Sequence, residues 1–135
     1  MITPRIMNLI LCESVGRGLD QRVSLYGIFA RVAKPSFPAF LPYCAIYCRL
    51  GYGDGIFDLR FVVRGPDDSV VYSPEGACRV TLEDPLQTSD VALELEHLPL
   101  PKAGTYWIEV WIGEHRLPNV LPLYVDIGRV ATVSG

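Results

Sequence analysis

Gly104-Thr105-Tyr106-Trp107-Ile108-Glu109-Val110-Trp111-Ile112-Gly113 alternates between two chemically different faces. Tyr106, Ile108, Val110 and Ile112 share one parity; Thr105, Trp107, Glu109 and Trp111 share the other. A period of two through β-branched and aromatic residues predicts a strand. The approach, Leu98-Pro99-Leu100-Pro101-Lys102-Ala103, is rich in proline and reads as a tight corner closed by Gly104. A tyrosine leading a strand out of such a corner can turn its hydroxyl back onto upstream backbone.

The rest of the chain reads as strands around this one. Residues 5–12 form a first strand, and residues 13–22, with Gly16, Gly18 and Asp20, a polar turn region. Residues 23–32 are apolar on both parities, which predicts one strand covered on both faces. Gly27 inside it marks a bulge or a close backbone approach. Residues 34–42 carry Pro35, Pro38 and Pro42, so they are expected as an extended connection outside any ladder, with Phe37 and Phe40 tucked inward.

Residues 43–50 place Cys44, Ile46, Cys48 and Leu50 on one parity and Tyr43, Tyr47 and Arg49 on the other. The glycine-rich turn Gly51-Tyr52-Gly53-Asp54-Gly55 then leads into residues 56–64, where Phe57, Leu59, Phe61 and Val63 alternate with Asp58, Arg60 and Arg64. Together they predict a hairpin. Gly65-Pro66-Asp67-Asp68 is a further turn, and strands follow at residues 69–72, 76–82 and 91–98. Pro118 and Pro122 make residues 116–127 an edge or irregular strand.

Nothing shows a sustained helical period. About eight short strands separated by turns predict one all-β antiparallel sandwich over residues 1–127, immunoglobulin-like in style, with a jelly roll as the alternative. Residues 128–135 are expected as a flexible C-terminal tail.

At 135 residues the chain suits one domain with a core that needs no staples. Twelve basic against fifteen acidic side chains leave a net charge of −3, which gives no concentrated basic face for nucleic acid. The start lacks the basic head and long apolar core of a signal peptide, and no apolar run is long enough to span a bilayer. A cytoplasmic location is therefore expected. Half the residues are hydrophobic, which predicts an exposed apolar contact surface.

Cys44 and Cys48 lie four apart in a strand, roughly 13 Å between Cα atoms at about 3.3 Å per residue. A disulfide needs about 4.4–6.8 Å, so free buried thiols are expected at all four cysteines, Cys12 and Cys78 included.

Chemistry is sparse. Gly51-x-Gly53-x-Gly55 lacks phosphate-cradle spacing and precedes a strand, whereas a cradle opens a helix. The cysteines lack the close pairs of a zinc site, and His97 and His115 sit near turns with no nucleophile beside either. Glu94 and Glu96 read as a solvated strand face. No cofactor, metal or catalytic residue is assigned, and the chain is not expected to be an enzyme.

What remains is the outward parity of the opening segment. Trp107 and Trp111 flank Glu109, and a shared sheet would add Tyr43, Tyr47, Arg49, Asp58 and Arg60. Aromatic residues with arginine are the composition of interface hot spots. These eight residues are the expected binding surface, for a protein partner or for self-association as a homodimer. A small molecule or carbohydrate stacked on the aromatics is the alternative.

The order of motifs, Pro4-Arg5 before a strand ending Cys12-Glu13, then Ser24-Leu25-Tyr26-Gly27-Ile28-Phe29, Phe37-Pro38, Gly65-Pro66-Asp67 and Gly104-Thr105-Tyr106-Trp107, resembles a family of small bacterial proteins classed as a domain of unknown function. The resemblance runs to about Ile127 and implies a bacterial cytoplasmic protein with an immunoglobulin-like sandwich. It transfers no catalytic or binding residue.

Overall fold

The computed structural model describes residues 2–74 and 78–128. Its strands are β1 (Arg5–Arg17), β2 (Val23–Ile28), β3 (Arg31–Lys34), β4 (Ala39–Gly51), β5 (Gly55–Arg64), β6 (Val70–Tyr72), β7 (Cys78–Leu82), β8 (Ser89–Leu100), β9 (Gly104–Ile112) and β10 (His115–Ile127). Four strands form one sheet in the order β2-β1-β4-β8. The six-stranded sheet runs β3-β10-β9-β5-β6, with β7 also paired to β5. Every pairing is antiparallel except β3 with β10. The fold is an all-β sandwich, and no described helix is long and apolar enough to cross a membrane.

Period-two alternation builds the core. Cys44, Ile46, Cys48 and Leu50 of β4 point inward against Phe57, Leu59, Phe61 and Val63 of β5 and Tyr106, Ile108 and Val110 of β9. Each fully buried Leu, Ile or Phe contributes about 1.5–3 kcal/mol relative to exposure, so this seam holds the two sheets together. The Tyr106 hydroxyl donates to the Lys102 carbonyl at 2.7 Å and accepts from the Lys102 N–H at 3.2 Å, closing the tyrosine corner. Gly104 has φ +140°, and a Cβ there would fall 2.6 Å from Pro66, so the corner and the Gly65-Pro66-Asp67-Asp68 turn interlock only around glycine.

Several expectations are corrected. Residues 43–50 and 56–64 are not a hairpin: β4 lies in the four-stranded sheet and β5 in the six-stranded one. The glycine-rich segment between them crosses from sheet to sheet, held by paired hydrogen bonds of Asp54 with Ile2 at 2.9 and 3.0 Å. Residues 23–32 are two strands, because the chain changes sheets again at Phe29 and Ala30. Apolarity on both parities reflects that switch, and β2 is an exposed edge strand, not a covered one. Gly27 does mark a close approach: its φ is +64°, and a Cβ would fall 2.5 Å from the Glu13 side chain.

The first strand runs on to Arg17, through half of the expected turn region. The proline-rich connection joins the ladder from Ala39, where Phe40 pairs with Pro99 and Leu41 with Leu98. Phe37 packs on the core, but Phe40 is 53% exposed and meets His97 edge-on. β10 is irregular between Arg116 and Val120, yet it lies inside the sheet. β3 joins it only from Tyr124 onward, which leaves Pro118 and Pro122 without a ladder partner on that side. All four thiols are free, with Cys12, Cys44 and Cys48 buried and Cys78 exposed at the start of a peripheral strand. Residues 76–77 and all of the expected tail but Gly128 fall outside the described residues.

Candidate functional site

β9 sits between β5 and β10, so its outward residues occupy the middle of the larger sheet's open face. Register sets three rows across it. Trp107 lies between Arg64 and Pro122, Glu109 between Val62 and Val120, and Trp111 between Arg60 and Arg116. Trp107 is 41% exposed, while the Arg60 guanidinium lies 5.6 Å from the centre of the Trp111 ring. Asp58 continues the face and pairs with Arg79 at 3.5 Å.

Glu109 is the centre of this face and is only 4% exposed although it points away from the core. Its Oε1 accepts from Arg64 Nε at 3.0 Å and from the Trp111 indole N–H at 3.2 Å. Its Oε2 accepts from Arg116 at 3.3 Å. Burial pushes the carboxyl up, but the bonds from Trp111, Arg64 and Arg116 outweigh it and hold the group below its usual range. A carboxylate saturated by three donors is a poor proton acceptor and a good clamp. It fixes Trp111 and two arginines in place, and a shallow depression of about 270 Å³ lies over it beside Trp107 and Asp68.

The eight residues expected to form one surface divide between two. Trp107, Glu109, Trp111, Asp58 and Arg60 share the six-stranded face. Tyr43, Tyr47 and Arg49 belong to β4, on the opposite side of the sandwich, because β4 and β5 are in different sheets. There a second network forms. The Tyr47 hydroxyl donates to Asp90 at 2.6 Å, and Arg49 donates to the same carboxylate at 2.7 and 3.4 Å. Burial and the Asp90 bond push the Tyr47 hydroxyl up to about 12. Asp90 is raised by burial and lowered further by Arg49 and Tyr47, ending below its ordinary value. Tyr43 is exposed beside Glu94 and Glu96.

Arg64, Arg116 and Asp90 were not among the expected residues. Arg64 shares parity with Arg60, and Arg116 lies just across the β9–β10 hairpin from Trp111, so both had a usable local signal; Asp90 is brought in by long-range pairing alone. His97 lies against Phe40, and His115 is exposed at the start of β10. Among the described residues no three His, Cys, Asp or Glu side chains converge on a metal position. A separate open cleft of about 480 Å³, lined by Glu13, Phe29, Val32, Leu41 and Tyr43 among others, lies at the end of the sandwich where β2 passes to β3.

A family model described as "Family of unknown function (DUF6941)" matches residues 8–126. Among solved structures, the crystal structure of the C-terminal domain of wzt is similar over 96% of this chain and 77% of that one, with a TM-score of 0.52 at 10% identity. That likeness concerns the fold alone. No curated protein matches.

Proposed function

Since the chain belongs to that family of unknown function, DUF6941, we propose its role from the surface: a non-enzymatic protein-binding or assembly module acting through the open face of the six-stranded sheet. The observation that supports this reading is the cluster of Trp111, Arg64 and Arg116 held by the buried Glu109, with the exposed Trp107 beside it. Tryptophan and arginine are the residues most enriched at interface hot spots. A carboxylate that fixes them beforehand lowers the ordering entropy that binding must overcome. An exposed indole in the middle of a sheet face, with Arg64 on one side and Pro122 on the other, presents both apolar area and charge to a partner.

The test is a photo-crosslinking residue in place of Trp107, with the exposed Leu86 as the control position. The expected result is a discrete protein adduct from position 107 and none from position 86. Failure to crosslink at 107 under conditions where the protein is folded would overturn the reading.

The cleft beside Phe29 and Leu41 favours a second reading, a small-molecule or carbohydrate-binding sandwich, because its volume of about 480 Å³ falls within the usual ligand range of roughly 300–1,000 Å³. Saturable NMR shifts confined to its lining, on titration with a panel of sugars and metabolites, would support it.

A further inference from the structure

Resting on the reading of the Phe29 cleft as a small-molecule site, we infer that its ligand is an amphiphilic organic cation, an apolar body carrying an ammonium group that Glu13 receives. The cleft opens at the end of the sandwich where the chain leaves β2 for β3. Phe29, Val32 and Leu41 line it and also belong to or pack on the core, so its floor is the exposed end of that core. Such a floor favours an apolar body, whose arrival removes apolar surface from water on both partners. Glu13 stands at the exposed rim and supplies the charge. Its carboxyl group lies against Gly27, where a Cβ would fall 2.5 Å from the Glu13 Cδ and 2.7 Å from its Oε2. Gly27 has φ +64°, so glycine there serves the backbone and makes room for the carboxylate at once. Among the described residues none forms a salt bridge with Glu13.

The other charges around the cleft do not offset that carboxylate. Arg31 lines one side, but its guanidinium is turned to Asp126, with which it pairs, and lies 5.2 Å from the centre of the Tyr124 ring. Lys34 comes two residues after Val32, about 7 Å farther along β3 and outside the lining. Arg17 comes four residues after Glu13, roughly 13 Å along β1, and donates to the Gln21 carbonyl. β2 carries no charged residue, and His97 is turned to Phe40. On β8 the nearest charges are Glu94 and Glu96, beside the lining residue Tyr43, and both are negative. The cleft therefore joins an apolar floor to one unpaired charge at its rim, and that charge is a carboxylate. An anion would meet repulsion there, and a neutral ligand would leave the charge unused. At about 480 Å³ the cleft has the volume of a small-molecule site, so the cation is that of a small molecule.

The experiment titrates three probes of equal chain length, hexylammonium, hexanol and hexanoate, and follows backbone amide shifts by NMR. It uses the wild type, Glu13→Gln and Glu114→Gln. Both glutamates are exposed, so neither exchange disturbs the core, and Glu114 precedes the end of β10 opposite the Tyr124–Arg31 pair. Hexylammonium is expected to shift amides around Phe29, Val32 and Leu41 saturably, binding about threefold to tenfold more tightly than hexanol, with hexanoate weakest. Its advantage should shrink as salt is added. Glu13→Gln should erase the preference for the ammonium and leave hexanol unchanged, while Glu114→Gln should behave as the wild type. Equal binding of hexylammonium and hexanol, a preference for hexanoate, or an ammonium preference that survives Glu13→Gln overturns the cationic ligand and keeps the small-molecule cleft. No saturable shift at the cleft with any of the three overturns both.

Discussion

Each sheet clamps a carboxylate on its outer face, buried in one and half-buried in the other, and the two are held differently. Glu109 on the six-stranded sheet is shared by Arg64, Arg116 and the Trp111 indole. Asp90 on the four-stranded sheet is held by Arg49 and the Tyr47 hydroxyl. The same device ties neighbouring strands together in both, since each network crosses between strands that pair directly or through one neighbour. The remainder differs. Glu109 gathers two cations and an indole, whereas Asp90 holds one cation and a phenol hydroxyl. The same clamp therefore fixes tryptophan and arginine on one side of the molecule, and tyrosine and arginine on the other.

The comparison is most strongly tested by removing each carboxylate. Glu109→Ala strands two guanidinium groups and an indole N–H, and should lower stability by about 2–3 kcal/mol, the arginines recovering part of their loss through water. Asp90→Ala leaves one arginine and one hydroxyl, one donor fewer, and should lower it by about 1–2 kcal/mol. Chemical denaturation of the two variants gives the ordering directly. Equal losses, or a larger one at Asp90, would mean the clamps are equivalent and the difference between the faces is one of charge alone.

Much of this was legible in the chain, and the part that was not has a common cause. The alternation of Tyr106, Ile108 and Val110 with Trp107, Glu109 and Trp111 assigns the two faces of β9 because period-two burial is a local property. The tyrosine corner is likewise local, closing over four residues. What local pattern could not reveal is which sheet a strand joins. The glycine-rich segment between β4 and β5 looks the same whether the chain folds back beside itself or crosses the core, and both strands keep one apolar parity either way. Phe29 and Ala30 contain no glycine or proline to announce the switch from β2 to β3. The candidate surface was split for that reason, and the bond from Arg64 to Glu109, 45 residues apart, follows from the pairing of β5 with β9.

Acidity and alkalinity separate the two networks further. Both carboxylates are lowered in the folded state, so the stability they contribute is present above their unfolded values and lost as pH falls through the folded ones. Glu109→Gln and Asp90→Asn should each flatten the acid limb of a stability–pH curve. The exposed Asp67, held down to about 2 by Ser69, adds to that limb in every variant and does not blur the differences. Only the four-stranded network has an alkaline limb. Tyr47 is raised from 10.0 to about 12, so its contribution is intact below the unfolded value and lost as pH rises through the folded one. Tyr47→Phe should reduce that loss, whereas Glu109→Gln should leave it unchanged. An alkaline limb identical in the wild type and Tyr47→Phe would assign it to the other groups that burial raises, Tyr43, Tyr106 and the thiols of Cys12, Cys44 and Cys48.

The smallest effect belongs to Arg60, the arginine of the tryptophan face that makes no bond to Glu109. Its guanidinium stacks over Trp111 at 5.6 Å, and a cation over an indole at a partly exposed site is worth about 0.5–1 kcal/mol. Arg60→Ala alone would confuse that attraction with the loss of an apolar stem lying on the sheet. A double-mutant cycle with Trp111→Phe separates them, since phenylalanine keeps a ring while giving up the stronger indole face and its N–H bond to Glu109. A coupling of a few tenths of a kcal/mol between positions 60 and 111 is expected, with none between Arg49 and Trp111, which lie on opposite sides of the sandwich. Zero coupling at the Arg60 pair would mean that this arginine is free in solution. The positive rim of the tryptophan face would then be mobile at that corner, and its fixed part would reduce to the two arginines that Glu109 holds.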